Sequence, residues 1–367
     1  MTCSDESIRV CGWDVGGAHL KFAALTADLR LVAAEQLICP LWEDTAHLRV
    51  AIDALRERYD FTQARHAVTM TGELCDNFKT RRDGVRLIVE ILEKSFADAG
   101  FSLYGLRGSW ISPQNSAERI AEIASANWSA SAQFLASRVD SAVIIDIGST
   151  TTDVICVRDG KVMARGVDDF SRLKYRELIY TGLVRTPIAA VVNTLPYGDA
   201  QIPVVAETFA TVADAYRILE NLPQDADLYP TADGAGKTAA ASARRMFRMI
   251  GRDYDGEFGQ AQAMAAYVRE AQLNHIGSAV EAHGHELFTG VPEAGLLGMG
   301  CGAHLVELLA RRFRLKYDAF DDFISMTNGY KERLQEGEGA AVCGPAIAVA
   351  HEYAASLRGE EGAICEN

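Results

Sequence analysis

One short design occurs twice in this chain, and it limits the available folds more than any other feature. Val10-Cys-Gly-Trp-Asp14-Val-Gly16-Gly17-Ala-His19-Leu-Lys21-Phe runs apolar into an aspartate, turns on glycines and becomes apolar again. Val143-Ile-Ile-Asp146-Ile-Gly148-Ser149-Thr150-Thr151-Thr152-Asp153-Val-Ile repeats it. Two apolar runs around a small-residue turn predict a β-hairpin, and glycine gives such a turn its backbone freedom. Finding the pattern near residue 10 and again near residue 143 predicts two related halves, each opening on a buried sheet.

Periodicity and capping signals predict helices over 44–58, 84–99, 116–138, 207–220, 237–250, 258–283, 304–314 and 345–357. Strands are predicted at 67–70, 101–104, 109–111, 161–166, 287–289 and 295–299. Strands mixed with covering helices mean an α/β protein of layered sheets. At 367 residues the chain suits two domains, taken as 1–139 and 140–344, with helix 345–357 expected to return onto the first. No low-complexity linker separates them, so a shared interface with a central cleft is expected.

Composition narrows the function. Lys and Arg number 36 against 50 Asp and Glu, a balance of −14, which leaves no basic footprint for a nucleic acid. The longer uncharged stretches, 186–198 and 339–350, are too short for a membrane span and contain proline, so no membrane partner is expected. Asp5, Glu6 and Arg9 ahead of the first apolar run do not resemble a signal peptide, so a cytoplasmic location is expected. Eight cysteines are scattered without a Cys-x-x-Cys pair, which predicts reduced, largely buried thiols rather than a zinc site.

The hairpins suit phosphates and a metal. Unobstructed amides at Gly16, Gly17 and Gly148 can point at phosphate oxygens, Ser149, Thr150 and Thr151 add donors, and Asp14 and Asp146 can hold Mg²⁺. Lys21 and Asp153 share one offset from their leading aspartates, so Lys21 can set a charge on a phosphate where Asp153 sets a carboxylate. The expectation is that Asp14 and Asp146 face each other across the cleft. A third glycine cluster, Gly298-Met-Gly300-Cys301-Gly302, follows a strand and opens a helix, a place where an anionic ligand can approach. It also fits a loose dinucleotide pattern, but too little chain follows for such a domain. Gly236-Lys237-Thr238 imitates the end of a Walker A loop, yet Thr231 stands where glycine is required; Lys237 reads better as a helix start with a reach toward substrate. His283 and His285 read as a solvated helix end, and Asp318, Asp321 and Asp322 as a solvated face. Glu73 follows strand 67–70, where parallel-sheet sites form; it reads equally as a general base or as a residue that caps the following turn or pairs with Arg81 or Arg82 at the surface.

The order hairpin, hairpin, strand-glycine-helix resembles the two phosphate motifs and the adenosine motif of the actin, sugar-kinase and heat-shock-protein superfamily. That resemblance implies two RNase H-like domains around a cleft. Met70-Thr-Gly-Glu73-Leu, Ala126-Asn127-Trp128, Tyr180-Thr-Gly-Leu-Val-Arg-Thr-Pro187 and Thr231-Ala-Asp-Gly-Ala-Gly-Lys237-Thr238 bring a closer likeness. With the hairpins they resemble the hydantoinase/oxoprolinase-related family linked to tetrahydromethanopterin one-carbon transfer, over nearly the whole chain. The family more often has Asn-Thr before the lysine of the first turn, where this chain has His19 and Leu20.

The resemblance implies a transferase step in methanofuran or methylofuran biosynthesis. There a furfuryl diphosphate, 5-(aminomethyl)-3-furanmethanol diphosphate, is joined to the phenol oxygen of γ-glutamyltyramine and diphosphate leaves. Asp14, Lys21, Asp146 and Glu73 would carry the chemistry, and Asn127, Asp153 and Lys237 would touch substrate. Mg²⁺ is implied, while ATP is compatible but not required. An ATP-dependent small-molecule kinase or amide-cleaving enzyme of the same fold is the alternative, and a non-catalytic nucleotide switch a second. The acceptor's identity, tyramine-like or tyrosine-like, and association into a homo-oligomer stay open.

Overall fold

A computed structural model describes residues 6–291, 293–334 and 340–365. The chain divides into two units, one made by 1–140, 157–171 and 320–367, the other by 141–156 and 172–319. In the first sheet Val10–Val15 (β1) pairs antiparallel with His19–Leu25 (β2), setting Asp14 opposite Lys21. Leu31–Ile38 (β3) adds to β2, and Arg65–Met70 (β4) runs parallel to β1. Phe101–Gly105 (β5) and Ser109–Ile111 (β6) complete the order β3-β2-β1-β4-β5-β6.

Every residue of β1 is buried, which is why the strand reads as a continuous apolar run. On one face Trp13 and Val15 join a cluster with Leu48 and Ile52 of helix Ala46–Arg58 and Ile88 and Leu92 of helix Arg81–Ser95. Each such side chain contributes about 1.5–3 kcal/mol on burial. The Trp13 indole donates to His66 Nδ1 at 3.1 Å, and burial holds His66 down at about 4, so that nitrogen is a neutral acceptor. On the opposite face helix Gly344–Cys365 lies on β1 so closely that a Cβ at Gly12 would overlap the Ala346 carbonyl.

The second sheet is built from Ala142–Ile147 (β7), Thr152–Arg158 (β8), Lys161–Val162 (β9) and Leu178–Ile179 (β10). After a separate hairpin of Thr194–Tyr197 (β11) and Ala200–Pro203 (β12), it gains Gly295–Met299 (β13) and Tyr317–Ala319 (β14). Its order, β10-β8-β7-β13-β14, repeats the first sheet: a hairpin and its third strand on one side, two parallel strands on the other. The echo in the sequence is therefore a repeat of topology, the RNase H-like arrangement twice.

Several sequence expectations change. Residues 287–289 form no strand; helix Phe258–Gly290 runs through them, no proline interrupting it, and His283 and His285 consequently lie inside the helix. The helix expected over 116–138 is broken into Ile120–Ile123 and Asn127–Ala136 by Ser125, whose φ of 52° is left-handed. The strand expected over 161–166 shortens to β9. Lys237 does not open a helix: Thr238 caps Ala239–Arg248, its hydroxyl accepting from the Ala241 amide at 3.1 Å. Asp321 is half-buried rather than solvated, and burial raises its carboxyl against donation from the Ala341 and Ala340 amides.

Candidate active site

The first glycine turn is closed by Gly16 N–H donating to His19 O at 3.0 Å and is held from behind by two later segments. The amides of Cys39, Leu41 and Thr71 donate to Ala18 O, Gly17 O and Val15 O at 2.9–3.0 Å. A Cβ on Gly72 would lie 3.1 Å from the Gly16 and Val15 carbonyls, so close approach of backbone requires glycine there, while one on Gly17 would meet only Cys75 Sγ, at 2.8 Å. Asp14 is 2% exposed, and Lys21 Nζ lies 3.7 Å from its Oδ2. Cys343, absent from the sequence-based site, is buried within the fields of both; burial pushes its thiol up to about 12. His19 is a buried member of β2, in register with Ile38.

Glu73 follows β4 on the short 3₁₀ turn Gly72–Leu74 and is 1% exposed. Gly84 of helix Arg81–Ser95 packs on it so tightly that a Cβ there would be 2.6 Å from Glu73 O. Ser125 Oγ donates to Glu73 Oε1 at 3.0 Å, while the buried Oε2 has no hydrogen-bond partner among the described residues. Burial raises this carboxyl to about 7, against the lowering influence of its own amide, Ser125 and Arg81. The surface-pairing alternative is thus excluded: Arg81 donates to Asp169 at 2.9 Å and Arg82 to Ala117 O at 3.0 Å.

The second turn is closed by Gly148 N–H to Thr151 O at 2.9 Å, with Ser149, Thr150 and Thr151 all half-buried. Its carbonyls face the segment 182–185: Leu183 N donates to Gly148 O, and Val184 N and Arg185 N to Ser149 O, at 2.8–3.1 Å. A Cβ on Gly182 would be 2.5 Å from Thr150 N. Gln272 secures that segment, donating to Thr181 Oγ1 and Gly182 O at 2.9 and 2.8 Å. Asp153 accepts from Arg172 at 2.7 Å, a pair whose side chains are 13% and 2% exposed. Arg172 lacked any signal in the sequence.

The third cluster is packed against β7. Gly300 has φ 79°, and a Cβ there would overlap the Asp146 carboxylate and Ile147 O; Gly302 N donates to Ile147 O at 2.9 Å, and Cys301 Sγ lies 3.6 Å from it. A Cβ at Gly298 would be 2.9 Å from Tyr317. Asn127 Oδ1 accepts from Trp128 N at 2.8 Å at the start of its helix. Lys237 Nζ donates to Asp227 O at 2.6 Å, in a loop anchored by the buried Arg245, which pairs with Asp214 and Asp233 at 2.7 and 3.0 Å.

Among the described residues no group of three or more His, Cys, Asp or Glu could hold a metal ion. That donor set does not fit a protein-caged ion. A lone carboxylate such as Asp14 or Asp146 fits Mg²⁺ that arrives on a diphosphate, since this ion keeps waters and phosphate oxygens as ligands.

A family model described as hydantoinase/oxoprolinase matches residues 65–316. The chain belongs to the hydantoinase/oxoprolinase family. Within that family, it is 29% identical over 247 residues to the Methanocaldococcus jannaschii protein named (4-{4-[2-(gamma-L-glutamylamino)ethyl]phenoxymethyl}furan-2-yl)methanamine synthase, covering 67% of this chain and 72% of that one. A Methanococcus vannielii protein of the same name is 32% identical over 123 residues, 33% of this chain and 55% of that one. The nucleotide-free structure of acetone carboxylase is similar in fold, with TM-score 0.53 at 12% identity over 94% of this chain and 70% of that one. The repeated topology and this likeness give the family member a two-unit α/β fold. No helix of the described residues is long and apolar enough to cross a membrane.

Proposed function

We propose that this protein is the furfuryl-diphosphate-consuming synthase of methanofuran-type cofactor biosynthesis. In this reading, the phenol oxygen of a γ-glutamyltyramine-like acceptor replaces diphosphate on 5-(aminomethyl)-3-furanmethanol diphosphate. The observation that carries the reading is the similarity, over two thirds of the chain, to a relative bearing that synthase's name. A buried carboxylate raised to about 7 beside the first glycine turn supports it, because a base half-ionised near neutral pH suits a phenol.

The bond from the furfuryl methylene to the diphosphate oxygen breaks with its electron pair leaving on diphosphate, and the furan oxygen stabilises the positive charge left behind. The phenol oxygen then forms the new ether bond while its proton passes to Glu73. Lys21 and the Gly17 amide would take up the developing charge of the departing group, whereas the Gly16 and Gly148 amides are engaged in closing their own turns onto His19 O and Thr151 O. Mg²⁺, when bound, would supply further positive charge to that group, and Asp14 at the first turn would hold it. No nucleotide enters this balance.

The test is purified protein incubated with the furfuryl diphosphate and the phenolic acceptor, with and without ATP, followed by mass spectrometry. Coupled ether plus diphosphate without ATP is the expected result. The family description favours one other reading, amide cleavage; ATP hydrolysis with an opened amide, and no ether, would select it.

A further inference from the structure

The Glu73 carboxylate is held unevenly, with Oε1 bonded to Ser125 and Oε2 buried without a hydrogen-bond partner among the described residues. The residue that supplies this bond is unusual in its own backbone. Ser125 sits between two helices at φ 52°, a conformation glycine adopts readily and serine does not. It is brought to Glu73 by Ala124, which bridges to Met70 at the end of β4. If this position served only to turn the chain, glycine would turn it with less strain; a serine here has use for its hydroxyl.

We propose that Ser125 is a positioning residue that ties down Glu73 Oε1 and so presents Oε2 as the atom that accepts the substrate's proton. The inference rests on the reading of Glu73 as the base. An ionised carboxylate accepts the Ser125 hydrogen bond better than a protonated one, so the bond also keeps more of the base ionised. The other charged groups acting on Glu73 are Arg81, on helix Arg81–Ser95, and Asp169, on helix Asp169–Tyr175. They oppose each other in sign and are paired at 2.9 Å, which leaves Ser125 as the directional contact.

Ser125→Gly removes the hydroxyl while relaxing the backbone, and Ser125→Ala removes it with the strain retained. Titration of the Glu73 carboxyl band by infrared difference spectroscopy, with Glu73→Gln as the blank, reads the group without substrates. Both variants should move that midpoint up by about one pH unit, as loss of a hydrogen bond to a charged group implies. The acidic limb of single-turnover ether formation should move with it, about a tenfold rate loss below the midpoint. Ser125→Gly should melt at or above the wild-type temperature and Ser125→Ala at or below it. An unmoved infrared midpoint in Ser125→Gly overturns the proposal, and so does a shifted midpoint with an unmoved kinetic limb. If the wild type forms no ether at all, the infrared arm still decides the Ser125–Glu73 bond, and the failure falls on the synthase reading.

Discussion

The two glycine hairpins share a backbone plan and differ in what surrounds it. In the first, the leading aspartate is buried and its cation comes from the same hairpin, Lys21 standing opposite Asp14. In the second, the leading Asp146 keeps partial exposure, and the matching position, Asp153, is neutralised by Arg172 from a later helix. The first turn is backed by a buried ionisable group, Glu73, whereas the segment 182–185 behind the second carries its one charge on the exposed Arg185. A duplicated scaffold thus keeps its turn amides in both copies and divides the charged work unequally. In the proposed reaction the first copy would handle proton and charge, and the second would present its turn rigidly.

The largest effect should come from breaking the second copy's ion pair. Arg172→Met leaves Asp153 in a buried site without its cation, and loss of one partner of a buried pair costs about 3–5 kcal/mol. Lys21→Met should cost less stability, because Lys21 is 21% exposed and its contact, at 3.7 Å, is longer. Urea unfolding of both variants checks this, and equal losses would erase the distinction. In activity the ranking should invert. Lys21→Met should slow ether formation by about 10²–10³, with acceptor KM unchanged, as loss of a charge-stabilising donor predicts. A defect confined to acceptor binding would contradict that role. Asp146→Asn assayed at limiting Mg²⁺ asks whether the second copy shares in holding diphosphate; undiminished turnover would confine the chemistry to the first.

A smaller effect separates the glycines. Gly300→Ala should destabilise by about 1–3 kcal/mol, since its φ of 79° is left-handed and the new methyl meets backbone at Ile147. Gly17→Ala meets only the Cys75 sulfur, at 2.8 Å, so Cys75→Ala should recover most of its loss of about 1 kcal/mol. Thermal melting of the double variant decides it.

The last effect is a slope. Glu73 titrates at about 7 when folded and near its ordinary 4.5 when unfolded, so the folded state holds the proton longer. Stability should therefore fall as pH rises from about 4.5 to 7 and level off above, and Glu73→Gln should flatten that decline. With ring-fluorinated acceptors the same variant should lose proportionally less rate as the phenol becomes more acidic. An equal loss across the series would remove Glu73 from the proton transfer.

Local patterns were readable where local physics decides the outcome. The hairpins, β13 and the helix after it follow from apolar runs and glycine turns, and the repeated spacing of Asp14 and Asp146 announced two related sheets. Residues 287–289 were misread because an apolar triplet inside a long helix carries no period of its own. The break at Ser125 left no trace, since serine is no marker of left-handed backbone. Glu73 was found by its place after a strand, but its burial depends on Gly84 and Ser125, which only the folded chain brings near. Arg172 and Cys343 act through partners 19 and more than 300 residues away, a range no spacing rule reaches.

The contact between Gly12 and the Ala346 carbonyl also sets an order of events in synthesis. The strand that carries Asp14 is made early, but the helix covering that face emerges about 330 residues later, which at roughly 5–20 residues per second is on the order of 15–70 s. For that interval one side of the central strand has no native cover, so the first unit cannot reach its final packing on the ribosome before the second has been made. A nascent chain halted before Ala346 should therefore hold a finished second sheet and an open first one, leaving the earliest-made strand among the last to be sealed.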